Sequence, residues 1–220
     1  MSVIEIRKGQ QALPPAGCVV LHSVPTLPDG ADVSMLAPLR AHASRVVYLS
    51  TTGVYGNVVD VDDQTPVSPS TAQASARVRT ENAVLEGPWT ALVLRPAAIY
   101  GPGRGVHVAM REGRFRLWQD GSNYVSRIHV DDLARIVERA MLSDLTGSYP
   151  VADAHPCPSI EIATFCAGLL GFPVPSSGET DDLPESRRAN RRVDGSAICR
   201  LLGIQLEYPS YREGIRAALE

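Results

Sequence analysis

The chain has 220 residues, 44% apolar and 20% charged, with a formal net charge of −3. That suits one compact domain. It gives no field to hold a nucleic-acid backbone or an anionic membrane. No apolar run approaches the ~18 residues of a membrane span, and Ser2 to Gln11 mixes Glu5, Arg7 and Lys8 where a signal peptide would be apolar. The four cysteines, Cys18, Cys157, Cys166 and Cys199, form no C-x-x-C pair. They read as reduced core residues of a cytoplasmic protein.

Val3 to Arg7 has room for one short strand. The first clear strand is Cys18 to His22, an apolar run between Gly17 and Pro25, as in a buried parallel sheet. Asp32 to Ala43 reads as a helix blemished by Pro38, since an interior proline removes a hydrogen bond. Arg45 to Ser50 is the second strand, followed by a long loop from Thr51 to Pro69. Ser70 with Gln73 reads as a capping box for a helix running to about Leu85. Thr90 to Arg95 is the third strand and Val125 to His129 the fourth. From Val130 the apolar residues Leu133, Ile136, Val137, Ala140 and Met141 fall at helical spacing. A strand near Tyr149 to Val151 follows, then helices over Ser159 to Leu170 and Ser196 to Leu202. The last helix is capped by Ser210 with Glu213. Arg187, Arg188, Arg191 and Arg192 beside Asp181, Asp182 and Glu185 read as a solvated surface. The alternation predicts an α/β parallel sheet, with ligands beyond the carboxyl ends of its strands. A sheet core over 17–150 and a C-terminal substrate-side region over 151–220 make one domain.

Three loops carry recognisable text. They are Ser50-Thr51-Thr52-Gly53-Val54-Tyr55-Gly56, Arg95-Pro96-Ala97-Ala98-Ile99-Tyr100-Gly101-Pro102-Gly103, and Arg127-Ile128-His129-Val130-Asp131-Asp132-Leu133-Ala134. In this order they resemble the extended short-chain dehydrogenase/reductase superfamily, in its NAD-dependent epimerase/dehydratase branch. The resemblance implies a Rossmann-like fold and NAD(P) as cofactor. It implies catalytic roles for Thr51, which would hold the substrate oxygen, and for Tyr100. Cofactor contacts would fall on Ser23, Pro25, Arg77, Pro96 and Ile99. Substrate contacts would fall on Thr52, Tyr55, Gln73, His107 and Arg127.

Two departures shape the functional reading. Counted back from Glu81, the family's Tyr-x-x-x-Lys pair falls on Gln73 and Arg77. Glutamine does not titrate and arginine stays protonated, so neither replaces a tunable acid/base. The Gly-x-x-Gly-x-x-Gly turn that cradles the pyrophosphate is absent from the sequence. Only 17 residues precede Cys18, whereas a βαβ unit takes about 30. The expected fold is thus a Rossmann-like sheet lacking its first strand–helix units. Three readings stay open. One is a family enzyme acting on a small or sugar-like ligand, another a non-catalytic binding or scaffold protein, and the third a catalyst that works without nicotinamide. The strand at Cys18 to His22 becomes an apolar edge, expected to be covered by Val3 to Arg7 or by a second copy in a homodimer. No nucleic-acid or membrane partner is expected.

Overall fold

The computed structural model describes residues 14–26, 31–175, 177–178 and 188–219. The central sheet has four parallel strands in the order β1-β2-β4-β9: β1 (Cys18–His22), β2 (Ala43–Leu49), β4 (Thr90–Pro96) and β9 (Gly147–Val151). The segment proposed at Val3 to Arg7 lies outside the described residues.

The sheet forms where the sequence is most continuously apolar. Val46, Val47, Tyr48, Leu92, Val93 and Leu94 are fully buried because helices cover both faces. Helix α4 (Val130–Met141) lays Leu133, Ile136, Val137 and Ala140 against Val47, Leu92 and Leu94. On the opposite face, Val84 of α2 (Ala72–Leu85) packs with Trp89, Val46, Tyr48, Ala91 and Val93. Burying these side chains is worth about 1.5–3 kcal/mol each. Arg45 faces α4 and donates to the carbonyls of Ala140 and Leu145 at 3.0 and 2.7 Å. The Ala140 carbonyl is one of those left open in the last turn of that helix.

Four expectations change. The helix proposed over Asp32 to Ala43 is a single turn, α1 (Ala31–Ser34), followed by a 3-10 turn over Ala37–Ala41 that opens at Pro38. Proline is tolerated in a first turn and not in a helix interior. Asp32 is buried and accepts from the Thr80 hydroxyl at 2.6 Å, which ties α1 to α2.

The strand proposed over Val125 to His129 breaks at Ser126. It becomes β7 (Tyr124–Val125) and β8 (Arg127–His129). Ser126 Oγ donates to the Arg191 carbonyl and accepts from the Val193 amide, so this position faces the C-terminal region. β8 pairs with β5 (Ala98–Tyr100) outside the central sheet.

The cap of α2 is Thr71, whose side chain accepts from the Ala74 amide, and not Ser70. Gln73 therefore has no capping-box place and is exposed. Finally, the arginines at 191 and 192 are structural. Arg191 is buried and donates to the carbonyls of Val58 and Gly56. Arg192, in β12 (Arg192–Val193), grips Asp60 of β3 (Asp60–Val61) through two bonds of 2.7 and 3.1 Å. Arg187 and its acidic neighbours lie outside the described residues.

The remaining helices match expectation. Helix α5 (Ser159–Leu170) and helix α6 (Ser196–Leu202) each end at a left-handed glycine, Gly171 and Gly203. Helix α7 (Tyr211–Ala217) is capped by Ser210, with Glu213 bonded to the Ser210 hydroxyl. The cysteines are free.

Candidate active site

After β4 the chain bends at Pro96 and continues as β5. The Ala97 amide donates to the Val151 carbonyl at 2.9 Å and holds the bend to the end of β9. This carries Ile99 and Tyr100 past the carboxyl edge of the sheet. There they form one wall of a cavity of about 390 Å³. Its other walls come from α3 (Val106–Arg111), from Phe115, Arg116 and Trp118, and from Arg127, Ser159, Ile162 and Ile215.

The polar lining has one sign. Arg104, Arg114, Arg116 and Arg127 line the cavity, and no acidic residue does among the described residues. Arg116 donates to the carbonyls of Gly113 and Phe115, and Arg114 pairs with Glu112 outside the lining. Arg127 is buried and donates to the Val125 carbonyl at 2.8 Å and to Cys157 Sγ. Such a pocket favours an anion, and Trp118 and Phe115 add planar apolar surface. Sequence reading missed Arg104, Arg114, Arg116 and Trp118. For Arg114, Arg116 and Trp118 the signal was the alternation Arg114-Phe115-Arg116-Leu117-Trp118, which puts Phe115 and Leu117 inward.

Tyr100 is buried, and its hydroxyl donates to the Ser210 carbonyl at 3.2 Å. Its ring meets His129 edge-on at 5.2 Å. Burial, and then the nearby Asp153 charge, push its phenol far above the usual tyrosine range. It offers shape and a fixed hydroxyl, not a proton at neutral pH. Glycine at 214 is what admits it, since a Cβ there would lie 2.3 Å from the Tyr100 oxygen.

The other sequence-named residues lie elsewhere. Ser23 and Pro25 are exposed beyond β1. Thr51 Oγ1 accepts from the Gly53 amide at 3.1 Å and caps a 3-10 turn, in which Thr52 is buried. Tyr55 is buried, and its hydroxyl accepts from Arg95 at 3.1 Å. Arg95 in turn grips Glu81 at 2.7 Å. Pro96 is buried in the bend. His107 is buried beneath Gly105. Burial, then Arg111, hold its pKa down, so it stays neutral. None of these lines the arginine cavity.

Arg77 and Gln73 occupy the places of the family's proton relay. Arg77 Nη1 donates to the Tyr48 hydroxyl at 2.8 Å and lies 3.3 and 3.5 Å from the carbonyls of Val24 and Leu49. It is a tie between strand ends and a helix. With exposed Gln73 beside it, the pair does not fit the proton relay that accompanies nicotinamide in the family. Among the described residues no three His, Cys, Asp or Glu side chains group as a metal site, and no helix is long and apolar enough to cross a membrane.

The NAD dependent epimerase/dehydratase family model matches residues 31–151. Protein YeeZ of Escherichia coli (strain K12) is 29% identical over 172 residues, covering 75% of this chain and 59% of that protein. The chain thus spans about three-fifths of the length of that relative. A functionally unknown conserved protein from Silicibacter pomeroyi DSS superposes with a TM-score of 0.76 at 34% identity, covering 89% of this chain and 73% of that one. RMD from Pseudomonas aeruginosa, solved in complex with NADPH, has a TM-score of 0.69 at 20% identity, covering 86% and 71%, a likeness of fold. On the family match and the Rossmann-like parallel sheet, the chain belongs to the NAD dependent epimerase/dehydratase family.

Proposed function

We propose that the chain binds a small anionic organic ligand, of sugar-phosphate type, in the arginine-lined cavity beyond the sheet. The observation that carries this reading is the lining itself: four arginines and, among the described residues, no carboxylate around an aromatic wall. A ligand phosphate would find planar donors on several sides, and a ring would find Trp118. Tyr100 and Arg127 would orient the ligand. The reading assigns no proton transfer to the Gln73 and Arg77 positions, and so no standard hydride-transfer step. NAD(P) is the cofactor that family membership implies. In this reading it serves no relay through these two residues.

Calorimetric titration with glucose 1-phosphate, and with neutral glucose as control, tests the proposal. Saturable binding of the phosphate alone, weakened at least tenfold in Arg116→Ala, is the expected result. No saturable binding of the phosphate at millimolar concentration sinks it. A parallel titration with NADPH, followed by fluorescence, tests the second half. Micromolar binding with turnover of a carbonyl substrate would return the chain to hydride transfer.

A further inference from the structure

Asp153 lies just beyond the end of β9, and its amide donates to the Arg127 carbonyl at 2.6 Å. Arg127 lines the arginine cavity. Asp153 does not line it and stands behind Arg127, 2% exposed. Arg127 makes its side-chain bonds to neutral atoms, the Val125 carbonyl and Cys157 Sγ. Neither bond neutralises the guanidinium.

The Asp153 carboxyl is sealed from water. Its Oδ1 accepts from the His155 amide at 3.1 Å, and its Oδ2 has no partner among the described residues. One donor leaves an ionised carboxyl poorly compensated, and a charge in so dry a place is weakly screened. The charged and titratable groups that act on it are Arg127 of β8, Tyr100 of β5, Asp132 of α4, Glu213 of α7, and Cys157. The His155 side chain, two residues on, bonds Glu161. Burial raises the carboxyl's pKa to about 7, against the His155 amide and Arg127, while Asp132 and Glu213 add to the rise. The group therefore changes charge near neutral pH, beside a cavity-lining arginine.

We propose that Asp153 is a proton-operated switch for the arginine cavity: ionised, it offsets the field that Arg127 presents to a bound anion, and protonated, it leaves that field to the anion. The switch rests on the reading of this cavity as an anion site. Affinity then rises as pH falls through neutrality, and a bound anion makes Asp153 harder to ionise by the same factor. The lining arginines stay charged throughout and add no slope of their own. Histidines ionise in this range as well, and His129 packs on Tyr100. Substitution at Asp153 separates the two sources.

Calorimetric titration of the full chain with glucose 6-sulfate, whose charge is the same at every pH used, tests the proposal. Binding should be about fivefold tighter at pH 6 than at pH 8. Asp153→Asn, neutral at both, should bind with the tighter affinity at each pH. Carbon-13 NMR of the Asp153 carboxyl reads the same link without any substitution. Saturating glucose 6-sulfate should raise its titration midpoint by about one unit. A pH dependence that survives Asp153→Asn, or a midpoint that ignores the bound anion, would overturn the switch and leave the anion site standing. No binding of the sulfate or of glucose 1-phosphate at pH 6 would remove the anion site and the switch together.

Discussion

Arg77 donates to the Tyr48 hydroxyl at 2.8 Å, joining α2 to the end of β2. The guanidinium also lies 5.9 Å from the centre of the Tyr48 ring, which His22 stacks on from β1. The residue in the family's lysine position is therefore part of the scaffold. Arg77→Ala should lower stability by about 1–2 kcal/mol, a fall in Tm of a few degrees by calorimetry. Arg77→Lys should recover only part of that loss, because an ammonium lacks the planar fork. It should bring no NADPH oxidation.

Asp153 gives stability a characteristic pH slope. Burial, opposed in part by the His155 amide, pushes its carboxyl up to about 7, against an ordinary value of about 3.9. Between those values the folded chain holds a proton that the unfolded chain has lost. The contribution of this group is therefore complete below about pH 4 and is lost as pH rises through about 7. Asp153→Asn keeps an acceptor for the His155 amide and removes the titration. The variant should melt above the wild type at pH 8, by the equivalent of about 1–3 kcal/mol, and the gap should narrow as pH falls and close only near pH 4. A gap independent of pH would refute the assignment.

Gly214 and Tyr100 interlock. A methyl group at 214 would meet the Tyr100 oxygen at 2.3 Å and its ring at 2.8 and 2.9 Å. Gly214→Ala should cost about 1–3 kcal/mol, as overpacked sites do. Removing the hydroxyl at the same time, in the double variant with Tyr100→Phe, should cost less than the sum of the two single changes. Chemical denaturation of the four proteins completes the cycle.

The outer edge of β1 is unpaired among the described residues. Val19 and Leu21 remain 42% and 38% exposed on the face that α4 covers elsewhere. An apolar parallel edge of this kind is a template for another strand. We expect a second copy of the chain to use it. Sedimentation velocity should show concentration-dependent dimers that Val19→Lys with Leu21→Glu abolishes. A monomer across the concentration range in the wild type would exclude this role.

What could be read from the residues follows from how local the causes are. Val46-Val47-Tyr48-Leu49 and Leu92-Val93-Leu94 announce buried strands by themselves, and α4 announces its inward stripe. The break at Ser126 has a distant cause, the amide of Val193, and no local pattern contains it. The site divides in the same way. Ile99, Tyr100 and Arg127, taken from the family loops, do meet at one cavity. Thr51, Thr52, Tyr55, Gln73 and His107 do not line it, since caps, ion-pair knots and burial occupy them. Asp153 gave no signal, because a lone aspartate after a strand looks like any turn residue until its burial is known.

Asp132, fully buried in the first turn of α4, accepts from the Glu207 and Tyr208 amides at 2.8 and 2.9 Å. The helix that covers the sheet is thereby riveted to the segment that leads into α7 and Ile215. Peeling that segment away would strand a buried carboxyl group and bare two amides together. Sheet and inner cavity wall should then open and close all at once, and hydrogen exchange should report one protection value for both.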